Sequence, residues 1–263
     1  MAPAQPTLHE HPLSPYVQSV KIALREKDIA FTKTPAGSIA PIGTLNPRAE
    51  VPAFVHGDVT LFETPVILEY INDTWPSTNL HPSDPTRKAL ASLAAQVCLT
   101  QYEALMWAAG EIRIFKRAEG AVAEKLIANI QTIATELQEW LTVKLGEGSY
   151  FSGEQFGMAD LCIAPILNSS VGSGLGPEKD TPLGKWLDRI KQRTSVRTTF
   201  DEAREGLKTM TKLGAKRPAG FKREYRDHRL DLMVRIGGVQ VVVDGLRNDN
   251  IRFSWPDVSR SKL

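Results

Sequence analysis

Three dipeptides in the first third of the chain join a residue able to hold a ligand to a proline that fixes the backbone. They are Ser14-Pro15, Val51-Pro52 and Thr64-Pro65, the last preceded by Glu63. A hydroxyl residue followed by proline is helix-starting grammar: the side chain accepts from a free backbone N–H, and proline at the first helical position forfeits no hydrogen bond. The unpaired N–H groups and the positive dipole end at such a start also suit an anion. Two such starts on one small sheet could hold both ends of an anionic peptide. Ser14 and Glu63-Thr64 are therefore both helix caps and candidate ligand contacts.

The elements that must position them can be read from periodicity. Thr7 to His9 is a short strand candidate, and Val17, Val20, Ala23 and Leu24 form the apolar stripe of a helix that Ser14 starts. Ala30 to Thr34, Ala53 to Gly57 and Val59 to Glu63 read as three further strands, with His56, Gly57 and Asp58 turning the last two into an antiparallel pair. Thr64-Pro65 opens a helix with the stripe Val66, Ile67, Tyr70 and Ile71, ended by Trp75-Pro76. This order predicts an α+β N-terminal domain over residues 1–76, a mixed sheet of about four strands with helices on both faces.

"WPSTNLHPSDP" then reads as a linker, with residues 77–85 at its centre. Residues 86–214 carry five stretches of helical periodicity separated by Gly-rich loops and predict an all-helical bundle. Residues 215–263 break the pattern: they hold 11 Lys/Arg and 6 Asp/Glu, a surplus of +5, against −3 for everything before them. Within them "LMVRIGGVQVVVDGLRNDNIRFSW" sets β-branched residues around Gly-Gly and Asp-Gly, which predicts one or two β-hairpins in a short basic C-terminal extension.

Composition narrows the class. With 42% hydrophobic and 24% charged residues the chain is a globular protein. No run of eighteen apolar residues predicts a membrane span, and Met1 to Thr7 lacks a secretory signal, so the protein is expected to mature inside the cell. Cys98 and Cys162 match no metal or redox spacing and read as buried core residues, and the five histidines form no zinc motif. The basic extension is interrupted by acidic residues and lacks a recognition motif, so nucleic acid is not an expected partner.

The order "LSPYVQSVKIALREKDIAF", "LNPRAEVPAF", "TLFETPVILEYI", "NLHPSDPTRKA" and "FGMADLCIAPIL" resembles the glutathione S-transferase superfamily, in particular its serine-type zeta-like and fungal members. The resemblance covers about residues 5 to 212 and makes the first domain thioredoxin-like. It implies glutathione as co-substrate, with Ser14 the catalytic residue, donating a hydrogen bond to the glutathione thiolate. It further implies that Val51, before the cis-proline Pro52, pairs its backbone with the cysteinyl unit, while Glu63 and Thr64 grip the γ-glutamyl amine and carboxylate. A second substrate, a small hydrophobic electrophile, would lie between the domains against Tyr16, Tyr102, Met106, Trp107 and Arg113. A homodimer is also implied.

Two departures stand out. Many relatives have Gly-Lys before Val-Pro, where this chain has Ala49-Glu50; Glu50 would repel the ligand's glycyl carboxylate if it points inward, unless Arg48 or Gln18 substitutes. The Ser/Thr-x-x-Asp capping box of the helical domain reads Gly157-Met158-Ala159-Asp160, in which Asp160 can still bond back. Serine rather than cysteine at position 14 argues against mixed-disulfide chemistry. The expected activity is transfer of glutathione to an electrophile, or thiol-mediated double-bond isomerisation, on a substrate such as a fungal secondary metabolite. A glutathione-dependent peroxidase and a non-catalytic binding protein are the alternatives. Ser261-Lys262-Leu263 spells a peroxisomal address, with the cytoplasm as the alternative.

Overall fold

The computed structural model describes residues 5–36, 38, 42–212 and 221–253. The Ser261-Lys262-Leu263 address lies outside the described residues.

The first domain is built on a four-stranded sheet of order β2-β1-β3-β4. Strand β1 (Thr7–Glu10) leads through helix α1 (Pro15–Glu26) to β2 (Thr32–Pro35), then β3 (Ala53–His56) and β4 (Val59–Phe62) run into α2 (Thr64–Thr74). β1 and β2 pair in parallel, which requires the crossover that α1 supplies, whereas β1–β3 and β3–β4 are antiparallel. Leu8 and Phe54 face one another across the sheet, both buried, under the Val17, Val20, Ala23 and Leu24 stripe of α1. The Val51-Pro52 peptide is cis and turns the chain into β3.

The second domain starts with α3 (Pro85–Val97), capped by Asp84, which accepts from the Arg87 N–H at 2.7 Å. A π-helical turn (Cys98–Tyr102) carries it directly into α4 (Glu103–Arg113). Then come α5 (Gly120–Leu145), α6 (Met158–Val171), α7 (Pro182–Ile190) and α8 (Thr194–Lys212). α6 is the central pillar, buried on nearly every face from Met158 to Leu167, which is why its sequence is apolar all round. Cys162 on α6 and Cys98 of the π-helical turn are both buried with free thiols.

The capping-box departure has a steric cause. A Cβ at position 157 would stand 2.7 Å from both the Leu80 carbonyl oxygen and Ser152 Oγ, so the linker approaches too closely for serine or threonine. Asp160 still closes the turn: its carboxylate accepts from the N–H groups of Gly157 (3.0 Å) and Phe151 (3.0 Å) and from Trp186 Nε1 (2.9 Å). Burial pushes its carboxyl up to about 6, although those donors pull the other way.

The hairpin expectation for the extension is corrected. Its two short strands, β5 (Arg223–Glu224) and β6 (Ile251–Arg252), pair in parallel, and α9 (Asp227–Arg235) and α10 (Val239–Arg247) form the crossover between them. Gly237, at φ 88°, breaks α9 from α10, whereas Asp244-Gly245 lies inside α10, where a Cβ on Gly245 would meet Ile251 Cγ2 at 2.7 Å. The glycines serve helix termination and close packing. Val241, Val242 and Gly245 fall on one buried helical face, and that burial overrides the β propensity of the valines. With Tyr225, Leu232, Met233, Ile236 and Ile251 they join the core of the helical domain.

Candidate functional site

Ser14 caps α1 from an extended conformation (φ −74°, ψ 116°), its Oγ accepting from the Val17 N–H at a long 3.4 Å. Among the described residues its own hydroxyl hydrogen has no acceptor, so the O–H is free to donate at the positive end of α1. The loop before it is held by Gln18, which donates to the Pro12 carbonyl at 3.1 Å, and by α8, where Gly206 leaves room for the Pro12 ring.

Ser14, Val51, Pro52, Glu63 and Thr64 line one cavity of ≈ 460 Å³. α1 and α2 both point their N-termini at it from the sheet. Thr64 is 2% exposed, and its N–H, like the first N–H groups of any helix, has no intrahelical acceptor. Glu63, which precedes it, adopts φ 68° and ψ 114°, a region that costs a residue with a Cβ about 1–3 kcal/mol. The Glu63 side chain lines the cavity.

The opposite wall comes from the extension. Arg226 Nη2 donates to Glu63 Oε1 at 2.7 Å and Nη1 to Oε2 at 3.4 Å, while Arg48 Nε stands 3.2 Å from the same carboxylate. Glu50 does point inward, 3.8 Å from Arg226 and from Arg229. Burial raises its carboxyl above the usual range, and the two arginines work against that rise. Arg229 forks onto Glu103 of α4 at 2.8 and 3.1 Å and donates to the Glu224 carbonyl at 3.1 Å. Burial alone would raise the Glu103 carboxyl, but Arg229 and His228 outweigh it and hold it down at about 2.

Of the expected substrate wall, two members reach a cavity. The Tyr16 ring lines both this cavity and a second of ≈ 700 Å³, while its hydroxyl donates to the Leu99 carbonyl at 2.7 Å. Burial, with Glu103 nearby, raises that phenol far above its ordinary value, so it is no base. Trp107 lines the first cavity beneath the extension, its ring 4.3 Å from Tyr225 and covered by Arg223 at 4.8 Å and Arg229 at 5.5 Å. The other three line neither cavity. Tyr102 is wholly buried, its hydroxyl donating to the Leu175 carbonyl and accepting from Gln138 Nε2 at 2.9 Å. Met106 packs against the core and lines neither cavity. Arg113 is spent on the Ser173 carbonyl. Their helical spacing served packing and loop closure. The ≈ 700 Å³ cavity has an apolar strip of Leu99, Ala104, Ile133, Leu137 and Leu232 within a mostly polar lining that includes Glu136, Asp227, His228, Asp231 and Arg235.

The family model described as glutathione S-transferase, N-terminal domain, matches residues 8–78. A glutathione S-transferase of Hyoscyamus muticus is 30% identical over 175 residues, which take in 63% of this chain and 82% of that one. The chain belongs to the glutathione S-transferase family. Solved structures of this family share its fold. A tau class glutathione S-transferase from mango, Mangifera indica, superposes with TM-score 0.65 at 23% identity over 80% of this chain and 98% of that one. A glutathione transferase from Phanerochaete chrysosporium, solved in complex with oxidized glutathione, gives TM-score 0.66 at 17% identity over 77% and 98%.

Reading this transferase-family chain as a sequence missed the buried carboxylates of α4 and the arginines that answer them. Glu103 and Glu111 flank Trp107 on one helical face, and Arg223, Arg226 and Arg229 recur at three-residue spacing in the extension. Arg223 Nε donates to Glu111 Oε1 at 2.5 Å, and Glu111 is fully buried. The surplus of positive charge after residue 214 was the available signal; among the described residues of that segment, Arg223 and Arg229 are docked on the α4 carboxylates.

Proposed function

We propose that the protein is a glutathione-dependent transferase in which Ser14 stabilises the thiolate of bound glutathione for attack on a small hydrophobic electrophile held in the ≈ 700 Å³ cavity. The observation that carries this reading is the free Ser14 O–H at the N-terminus of α1, in one cavity with the cis Val51-Pro52 backbone and with Glu63-Thr64. A hydrogen bond and a helix dipole aimed at sulfur lower a thiol pKa from its ordinary value of about 8.5 and raise the nucleophilic fraction at neutral pH. Glu63 receives the γ-glutamyl ammonium, Thr64 the adjoining carboxylate, and Val51 the cysteinyl backbone. Addition to a double bond followed by elimination would make the same site an isomerase, and an electrophile such as a secondary metabolite would meet both the apolar Leu99, Ile133, Leu137 and Leu232 and the polar residues of the second cavity. A homodimer belongs to the same reading, supported by apolar side chains exposed on α2 and α3, among them Val66, Leu90 and Leu93.

Titration of the bound thiol by its ultraviolet absorbance in wild type and Ser14→Ala tests the mechanism. The variant should raise the thiol pKa and lower turnover at least ~tenfold, the scale of one hydrogen bond to a charged group. An unshifted pKa refutes it.

One observation favours a second reading, a binding protein without turnover: the Glu63 carboxylate is already paired with Arg226 and Arg48. Calorimetry with glutathione, followed by thioether formation with an aromatic halide, separates the two, because a non-catalytic protein forms no product.

A further inference from the structure

We infer that Arg226, delivered by the C-terminal extension, is a substrate-binding residue that takes the α-carboxylate of the ligand's zwitterionic amino-acid end while Glu63 takes its ammonium. The inference rests on the glutathione reading above and names a contact outside residues 5 to 212.

The three arginines at the start of the extension differ in what they hold. Arg223 and Arg229 are committed to the buried carboxylates Glu111 and Glu103 of α4, and these pairs anchor the extension on the helical domain. Arg226 stands between them in sequence, at the N-cap of α9, yet turns to the other domain, where its ion pairs are with Glu63 and Glu50, both lining the cavity. It is thus positioned by its neighbours rather than by its own partners.

Charge balance shows what that position does. The carboxylates Glu50, Glu63 and Glu103 all line the cavity, and without the extension they would set a negative field against a peptide that carries two carboxylates and a thiolate. The extension supplies Lys222, Arg223, Arg226, Arg229 and Arg252 to the same wall, against one further carboxylate, Glu224. The departure at Glu50 is thereby neutralised from outside the thioredoxin-like domain.

An amino-acid zwitterion is the complement of an opened arginine–carboxylate pair. When it enters between Arg226 and Glu63, the ammonium replaces the guanidinium on Glu63 and the carboxylate replaces Glu63 on Arg226. The Arg226–Glu63 pair is exchanged for two pairs with the ligand, while Arg48 remains beside Glu63 and Glu50 beside Arg226. Guanidinium suits this role because its planar fork meets a carboxylate with two donors. Arg226, Glu63, Thr64 and Tyr16 all line both cavities, so this exchange occurs where the peptide site meets the larger cavity.

The test compares glutathione with 4-aminobutyryl-cysteinylglycine, the same peptide without its α-carboxylate, by calorimetry on the full chain. Wild type should prefer glutathione at least tenfold, and Arg226→Gln should reduce that preference to under threefold. Arg226→Lys, which keeps the charge without the fork, should cut the preference at least threefold and decides the matter if Arg226→Gln fails to fold. An equal preference in wild type and variants overturns the inference while leaving the glutathione reading intact. Tighter binding of both peptides by the variants also overturns it, making Arg226 a plug. A wild type that binds neither peptide defeats the glutathione reading, and this inference with it.

Discussion

Replacing Arg229 by methionine should do more damage than any other single change in the extension, because it leaves a charge buried without its partner. Glu103 is 7% exposed and takes two hydrogen bonds from Arg229, with His228 Nε2 3.4 Å away. Removing one partner of such a pair costs about 3–5 kcal/mol, whereas replacing both by apolar groups of similar volume is close to neutral. For a chain of this size that corresponds to a fall in melting temperature of roughly 6–20 °C, at ~2–4 °C per kcal/mol. The assay is urea unfolding of wild type, Arg229→Met and the double variant Arg229→Met/Glu103→Leu at pH 7. The double variant should recover most of the loss. The folded pKa of Glu103, about 2, lies below its unfolded value, so the contribution of the pair is fully present above about pH 4.5 and declines as pH falls toward 2. The gap between wild type and Arg229→Met should therefore shrink on acidification. A loss under ~1 kcal/mol at pH 7, or a double variant no better than the single one, would refute the docking of the extension through this pair.

Two further predictions concern Gly157 and Tyr102. Gly157→Ser restores the usual capping residue but forces a Cβ against the Leu80 carbonyl, so it should destabilise by about 1–3 kcal/mol in thermal or urea unfolding, where capping grammar alone would predict a gain. Tyr102→Phe removes a buried hydroxyl that joins Leu175 and Gln138; it should cost about 1–3 kcal/mol of stability while KM for the electrophile stays within twofold. A large rise in KM would return Tyr102 to the substrate wall.

Much of the first domain was legible because its determinants are local. Proline after a hydroxyl residue starts a helix wherever it stands, alternation marks the strands, and His56-Gly57-Asp58 turns one strand onto the next. That Ser14 and Glu63-Thr64 line one cavity accords with the same grammar, since a helix start with unpaired N–H groups is also one that attracts an anion. The helices of the second domain were equally plain from their periodicity. Their inward and outward faces were not. Tyr102, Met106, Trp107 and Arg113 share a spacing that suits a core and a substrate wall alike, and only packing of the neighbouring helices decides between them.

By itself, then, the amino-acid order determined the mixed sheet, the helices that follow it and the start of α1 at its Ser14 cap, whereas α2 starts at Thr64-Pro65 with no side-chain cap, the Thr64 hydroxyl donating to the Tyr16 carbonyl instead. Tertiary structure alone decided the rest. Whether β-branched residues around glycines become hairpins or helices depends on which face finds a buried partner, and Val241, Val242 and Gly245 find theirs only on a helix. Whether a basic segment is solvated or docked depends on carboxylates more than a hundred residues away, as Arg223 on Glu111 and Arg229 on Glu103 show. Local pattern carries propensity and capping, while electrostatic pairing across the fold is a property of distance in space, and it is that pairing which brings Arg226 to Glu63.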